Sequence, residues 1–467
     1  MKSSSREFLR KVCMVDAYGS SGIALTNTFL QAGFTLIHIQ SHPNIPKPYI
    51  KSFQPSLFNK NFIIENNNDT DIINQLRLEK PDMVIAVSEP SIATADWLAT
   101  ELQLPGNSPK TSRLRRDKYE MGEALKRASL ATIRQAQVSD LQTALNIARS
   151  WNKWPLVLKP LNSGGSEGVR FCTTEKELAN AFNEIYMQKN VFNAINNKIL
   201  IQERIYGQQY VVNAVSVAGQ HKITEMWKED RVSVEGAGSN IYDKELLIPY
   251  HGDIQEKLID YVKKVLDAVD IKEGASHSEV MMTAEGIPVL IEIAGRLQGG
   301  IESSAIIAAI GDSHVTTLFK SCTDRATFLT EINDTYQIKK NAMVVNLISK
   351  QEGTLTKNNC DVLLPTLPSF HLIVRTPKVG DFIPKTVDLL TKAGHIYLLH
   401  ENVAQLEKDY QQIRTWEREN KLLTSTSVVS HSLSSSSSNK VRDDEKHKDD
   451  KDKKSVTEET LTTPRCG

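Results

Sequence analysis

Three stretches of the sequence place charged side chains at the ends of apolar runs, and together they describe a site for a polyanion. In Trp154-Pro155-Leu156-Val157-Leu158-Lys159 an ammonium closes a run that reads as a buried strand. Burying that charge is unfavourable unless something negative meets it. The segment Asn162-Ser163-Gly164-Gly165-Ser166-Glu167-Gly168 follows, with almost no side-chain bulk. Small residues let backbone N–H groups close around an anion. The G-x-x-x-x-G-K-[ST] order of a P-loop is missing, and no helix follows. Val169-Arg170-Phe171-Cys172 alternates instead and reads as a second strand. The glycines therefore predict a flap within a hairpin, with Lys159 pointing toward whatever the flap covers. A plain hairpin with a solvated lysine is the alternative.

The second stretch is Ile199-Leu200-Ile201-Gln202-Glu203, an apolar strand ending in a carboxylate, followed by the connector Arg204-Ile205-Tyr206-Gly207. A carboxylate there can accept from the exocyclic amine of adenine while connector backbone groups complete the pairing. An ordinary strand-turn-strand accommodates the same residues. The third runs from Ala275 to Gly300. Side chains two apart share a face of a strand, so His277, Glu279 and Met281 face one way. After the turn Ala284-Glu285-Gly286, the returning strand puts Leu290, Glu292, Ala294 and Arg296 on one face. A hairpin then brings Glu279 and Glu292 together. Two close carboxylates repel unless a cation joins them, and hard oxygen donors beside phosphate point to Mg²⁺. A surface hairpin with solvated glutamates fits poorly, because Glu292 sits within Val289-Leu290-Ile291-Glu292-Ile293.

The elements that must position these groups follow from periodicity. Val12 to Asp16 reads as a buried strand, then Gly19-Ser20-Ser21-Gly22 and a helix to about residue 32. Strands at 34–39 and 83–87, with a helix at 71–78 between them, give βαβ alternation and a parallel sheet. Its glycine turn reads as a packing turn, with phosphate binding as the alternative. Residues 111–150 are helical and charged, and 155–300 turn to short alternating strands. A mixed segment from 341 ends in a charged helix near 420. The predicted organisation is a parallel-sheet domain over 1–110, a central domain over 111–320, an α+β segment over 321–423 and a tail over 424–467. That tail, Ser-rich and then mixed in charge, has too little apolar content to fold; a trafficking or partner-binding role is the alternative to a solvated extension.

Composition narrows the function classes. With 467 residues, 40% of them hydrophobic, the chain is expected to form several globular domains. Lys+Arg and Asp+Glu both number 56, so no overall basic field draws it to nucleic acid or anionic lipid. The five cysteines form no CxxC pair, which argues against a disulfide framework or zinc site. No stretch has transmembrane length, and the N-terminus leads into no signal-peptide core, so a cytoplasmic location is expected.

Lysine, glycine flap, adenine-reading Glu, paired Glu and a following Arg, in this order, resemble the ATP-grasp superfamily. The resemblance is closest over about 111–310. Over 1–420 the chain looks like the amino-acid ligase branch of carboxylate–amine ligases, a likeness shared by "EMWKEDRVSVEGAGSNIYDKELLIP" and "GHIYLLHENV". It implies an α/β fold: a Rossmann-like preATP-grasp domain, then an ATP-grasp fold of two α+β lobes. It also implies roles. Lys118 in "RRDKYEM" and Lys159 match the two ATP lysines, and Gly164, Gly165 and Ser166 cap the β- and γ-phosphates. Glu203 and Ile205 meet adenine. Gln209 stands where the family often has a ribose-holding Glu. Glu279 and Glu292 hold Mg²⁺, with Mn²⁺ as an alternative ion. Arg296 stabilises an acyl phosphate and the incoming carboxylate, Gln298, Gly299 and Gly300 line the substrate site, and His277 is a weaker substrate contact. The common E-x-N-x-R ending is "EIAGR" here, so Ala294 replaces a ligand Asn.

The implied function is ATP-dependent joining of a small-molecule carboxylate to an amine through an acyl phosphate, the expected substrates being an amino acid or small peptide and a second amine. A homodimer is compatible with this reading. Ligation of a non-amino-acid carboxylate or a protein side chain is one alternative. A nucleotide-binding module without turnover is the other.

Overall fold

Val12, Cys13, Met14 and Val15 are fully excluded from water because their strand, β1 (Lys11–Val15), lies inside a parallel sheet. The computed structural model describes residues 10–65, 69–300 and 302–426. β2 (Thr35–Gln40), β3 (Lys60–Ile63) and β4 (Met83–Ala86) complete the sheet in the order β3-β2-β1-β4. The helices Gly19–Gln31 and Thr70–Glu79 supply the predicted crossovers. β3 is additional to the predicted strands. It is an edge strand with three of its four residues exposed, so it carries no alternating apolar signal.

A separate antiparallel sheet carries the flap. It is built from β5 (Gln135–Val138), β6 (Leu156–Pro160), β7 (Arg170–Cys172) and β8 (Ile199–Glu203) in the order β5-β8-β6-β7. Leu158 pairs with Arg170 across β6 and β7, so the glycine segment does join two strands of a hairpin.

The remaining strands are β9 (Gln208–Val217), β10 (Gln220–Val232), β11 (Ile241–Leu247), β12 (Gly274–Met282), β13 (Pro288–Ala294), β14 (Asn341–Leu347), β15 (Gly353–Asn358), β16 (Phe370–Arg375), β17 (Phe382–Ile383), β18 (Gly394–His400) and β19 (Leu423–Ser425). Eight of them form one sheet in the order β13-β12-β9-β10-β11-β14-β18-β16. The amphipathic helix Asp253–Ala268 buries Leu258, Val262, Val265 and Leu266 in a core with Val212, Val280 and Leu290. A second core joins this sheet to the first through Val215, Trp227, Met14 and Leu25. The sheet continues across residue 320, because β14 pairs with β11. At the C-terminal end β19 pairs with β15, which carries the folded part to Ser425 and takes the first residues from the predicted tail. The rest of that prediction, 427–467, lies outside the described residues. Among the described residues no helix is long and apolar enough to cross a membrane.

One expected facing is corrected by the backbone. Glu279 pairs with Glu292, but the next pair is Val280 with Leu290, so a β-bulge at Ile291 breaks the period of two. Leu290 therefore enters the core with Val280, while Ile291 joins Glu292 at the cavity. Tyr261, on the helix beneath, holds this geometry. The Leu290 N–H donates to its hydroxyl oxygen at 3.0 Å, and the hydroxyl donates to the Ala131 carbonyl at 2.6 Å. Tyr261→Phe should leave both buried groups unpaired and lower stability by about 1–3 kcal/mol. Denaturant titration of the purified variant checks this; an unchanged midpoint would remove Tyr261 as the brace.

Candidate nucleotide and metal site

Lys118 begins the helix Lys118–Arg127, capped by the Asp117 carboxylate, which accepts from the Tyr119 and Glu120 N–H groups. The start of a helix points its side chain back toward the preceding chain, here to the mouth of the flap. Its ammonium donates to the Ser163 carbonyl at 2.9 Å and to Glu292 Oε1 at 2.8 Å. Lys159 comes from the end of β6 and is 6% exposed. Gly164, Gly165 and Ser166 close the same space from above. Gly165 and Ser166 both take left-handed backbone, φ 67° and 62°. Glycine does so freely, whereas Ser166 is held there while Arg231 Nη1 donates to its hydroxyl at 3.3 Å.

These groups line one cavity of about 230 Å³. Its apolar end is made by Ile133, Val157, Phe171, Ile205, Met281 and Ile291. The Arg204 guanidinium, which also lines this cavity, lies over the Phe171 ring at 4.0 Å from its centroid. The polar end holds Lys118, Lys159, Arg231, Glu279 and Glu292. A flat apolar slot leading to a cluster of cations matches a nucleotide with its base inward and its phosphates under the flap.

Glu279 and Glu292 are direct cross-strand partners, as the hairpin predicts. Burial works against the charge on Glu279, yet His277, Arg231 and Lys118 outweigh it and hold the carboxyl at about 2. The carboxylate also accepts from Gln209 Nε2 at 2.8 Å and from the Tyr242 hydroxyl at 3.4 Å. Gln209 is thus engaged with Glu279, which differs from the expected contact with ribose. The reason is electrostatic: a buried carboxylate is the strongest acceptor within reach of that amide. Two carboxylates opposite each other, beside two lysines, fit a Mg²⁺ shared with nucleotide phosphates. Among the described residues no third His, Cys, Asp or Glu joins them, and Ala294 on β13 offers no donor.

Lys159 lies deeper than a surface lysine can. Burial, and then repulsion from Lys118, pull its ammonium down from 10.5 to about 8 against the attraction of Glu292 and Glu279. Bound phosphate favours the charged form, so nucleotide affinity should be constant below pH 8 and fall as pH rises above it. In the unliganded chain the sign is opposite. The unfolded lysine keeps its proton up to about 10.5, so stability from this group rises between pH 8 and 10.5. Calorimetric titration of ADP across this window, with Lys159→Met as control, checks the first statement. A wild-type pH profile identical to that of Lys159→Met would refute it.

Other predicted residues are placed less simply. Glu203 and Ile205 line the apolar end. The Glu203 carboxylate accepts from Arg134 at 3.4 Å and Lys153 at 3.1 Å, both largely exposed cations whose hold is weak. Arg296 is not among the cavity-lining residues. Its Nε donates to Glu89 Oε2 at 2.8 Å, and Arg116 donates to Glu89 Oε1 at 2.5 Å. Glu89 follows β4 and is 3% exposed, and despite burial its two arginines hold it at about 2. A buried arginine needs a counter-charge, and nothing local in the sequence marks one in the first sheet's connections.

His277 and Gln298 meet through Asn213, a residue of β9 that the motifs do not single out. Asn213 Oδ1 lies 3.0 Å from His277 Nδ1, and its Nδ2 donates to Gln298 Oε1 at 2.6 Å. Gln298 Nε2 then donates to Glu245 Oε2 at 3.2 Å. Gly299 is exposed and Gly300 takes φ 76°; a Cβ there would lie 3.2 Å from His395. Glu245, Asn213, Arg231 and Tyr242 were all legible only as alternate residues of long strands, a signal shared with any half-buried sheet.

The chain is similar to known proteins over most of its length. Residues 152–305 match the model of the ATP-grasp domain. The chain is 29% identical over 408 residues to dapdiamide A synthase of Enterobacter agglomerans, covering 86% of this chain and 95% of that protein. It is 25% identical over 240 residues to alanine–anticapsin ligase of Bacillus subtilis, covering 47% of this chain and 49% of that one. Among solved structures, an L-amino acid ligase from Bacillus licheniformis superposes with a TM-score of 0.69 at 16% identity, over 89% of this chain and 98% of the other. Residues 152–305 thus match the ATP-grasp domain, and the chain as a whole resembles carboxylate–amine ligases that share this fold.

Proposed function

We propose that this protein is an ATP-dependent, ADP-forming carboxylate–amine ligase that joins an amino acid or small peptide to a second amine. The observation that carries the reading is the facing pair Glu279 and Glu292, set against Lys118 and Lys159 in one cavity. The relatives named dapdiamide A synthase and alanine–anticapsin ligase support amide-bond formation. Small-molecule substrates, Mg²⁺ with Mn²⁺ as an alternative ion, and the residue roles are part of the proposal.

In the first step a carboxylate oxygen of the acid attacks the γ-phosphorus of ATP, and ADP leaves with the electrons of the broken P–O bond. In the second, the amine nitrogen attacks the acyl carbon, phosphate departs with the C–O pair, and the surplus amine proton passes to solvent. Lys118 and Lys159 neutralise phosphate charge, Gly164 to Ser166 cover it, and Arg231 holds Ser166 and Glu279 in place. Mg²⁺ bound by Glu279 and Glu292 would supply charge neutralisation to the phosphates. Arg296 would meet the acyl phosphate once its hold on Glu89 is shared with substrate. Positioning and electrostatics carry the rate, as in other phosphoryl transfers.

ADP release measured over pairs of amino acids, with mass analysis of products, tests this reading. A new mass equal to the two acids less water, formed with ADP, is the expected result. Nucleotide binding without ADP release on any pair of amino acids, peptides or other carboxylates would instead favour the binding-module reading, which Ala294 and the engaged Gln209 keep in view.

A further inference from the structure

Another cavity, of about 160 Å³, lies at the carboxyl ends of β1, β2 and β4, and its wall residue Phe192 abuts Gly164 of the flap that covers the nucleotide cavity. Asp16 follows β1, Ser41 follows β2, and Pro90 and Thr94 follow β4. In the strand order β3-β2-β1-β4 the chain turns one way from β1 to β2 and the other way to β4. Such a switch leaves a crevice outside the strand ends, where α/β sheets receive ligands.

The groups in this crevice are poorly explained by packing alone. Asp16 is 1% exposed and sits in left-handed backbone at φ 50°. Its carboxylate accepts from the Ser41 N–H at 2.8 Å and from the Ser41 hydroxyl. Among the described residues it pairs with no lysine or arginine, and burial raises it to about 6 despite those bonds. Tyr18, also 1% exposed, lines the same space, and its hydroxyl is directed at the Asp16 carboxylate, with no other neighbour among the described residues accepting from it or donating to it. Phe192 forms the outer wall, reaching across from the flap-bearing part of the chain. Tyr49 stacks on Phe192 at 6.3 Å and on Tyr18 at 5.6 Å. The Tyr49 phenol is within charge range of Arg296, Glu89, Arg116 and Asp16. Through Tyr49 this anionic, aromatic-walled recess neighbours Arg296, the arginine to which the ligase reading gives the acyl phosphate.

We infer that this recess binds the primary ammonium of a small amino-acid substrate, with the Asp16 carboxylate as its ion partner and the Tyr18 hydroxyl as an acceptor. Which amine this is rests on the ligase reading. A protonated amine has no lone pair to attack an acyl phosphate, so the ammonium held by Asp16 is the one that survives in the product. It belongs to the acid substrate, whose carboxylate then extends toward Arg296.

The test is saturation-transfer NMR on the full chain with each L-amino acid and its N-acetyl form, with and without Mg²⁺ and a non-hydrolysable ATP analogue. Asp16→Asn and Thr94→Phe are compared with wild type. Asparagine tolerates left-handed backbone and retains an acceptor for Ser41, while Thr94→Phe fills the recess without touching the carboxylate. The expected result is binding of at least one free amino acid, absent for its N-acetyl form and weakened at least roughly tenfold in both variants. Nucleotide-induced thermal shifts should be unchanged in both. Binding unaffected by both variants, equal binding of the N-acetyl forms, or no amino-acid binding to wild type would each overturn the site. Amino-acid binding that depends on Asp16 in a protein releasing no ADP would keep the site and remove the ligase reading alone.

Discussion

Glu292→Gln should reduce Mg²⁺-dependent ADP release to below roughly a thousandth of wild type, the upper range for one charge-stabilising group, and leave the protein folded. The amide keeps the shape and an oxygen acceptor for Lys118, which stands 2.8 Å away. What it removes is the charge that, with Glu279, balances a divalent cation and the nucleotide phosphates. Glu279 cannot substitute, because its oxygens are already oriented by Gln209, Arg231 and Tyr242. Losing the counter-charge of a buried ammonium should cost about 1–3 kcal/mol of stability, visible as a modest fall in melting temperature. Binding of ATP without metal should change little, since the apolar slot and Lys159 are untouched. If Glu292 served only to neutralise Lys118, the variant would lose the same stability and yet turn over normally with Mg²⁺. Melting temperature and ADP release on one sample therefore separate the two roles, and a destabilised but active Glu292→Gln would sink the metal assignment.

The parts of the site that could be read from sequence are those in which a charge interrupts an apolar run. Lys159, Glu203 and Glu292 each stand in or at the end of such a run, and the facing of Glu279 and Glu292 follows from a period of two. That period fails within the same hairpin at Ile291, because a bulge has no signature in alternation. Alternation puts Leu290 on one face with Glu292, whereas the bulge turns it into the core. The parallel sheet was legible because βαβ alternation leaves continuous buried runs, while the edge strand β3 buries too little to show. Partners that meet through tertiary contact were hidden for a different reason. Glu89 lies 207 residues from Arg296 in sequence, and Asn213 64 from His277. Nothing local marks either pairing. Asp16 is an intermediate case: a carboxylate closing a fully buried strand is the same signal as Lys159, and only the crevice beside it gives that signal a use.

Lys159→Met should lower turnover by roughly 10²–10³-fold, about 2.7–4 kcal/mol of transition-state stabilisation, without lowering the melting temperature of the unliganded chain. Methionine retains the apolar stem between Leu158 and the flap, so packing is largely kept. The ammonium it removes is an unfavourable one while the cavity is empty. Burial disfavours its charge, Lys118 repels it, and its proton is held only up to about pH 8. Unliganded Lys159→Met should thus be at least as stable as wild type at neutral pH, where a lysine in a purely structural ion pair would show the reverse. The benefit of the charge appears only when phosphate enters, so the stabilisation gained on adding ATP should shrink in the variant. Lys159→Arg does not rescue this, since a planar fork in a space shaped for a compact ammonium collides with the flap or with Lys118. The discriminating pair of measurements is the melting temperature without nucleotide and the rise on adding it. Near-wild-type turnover, or an unliganded melting temperature that drops while the nucleotide-induced rise is preserved, would place Lys159 outside the phosphate site and leave Lys118 as its main cation.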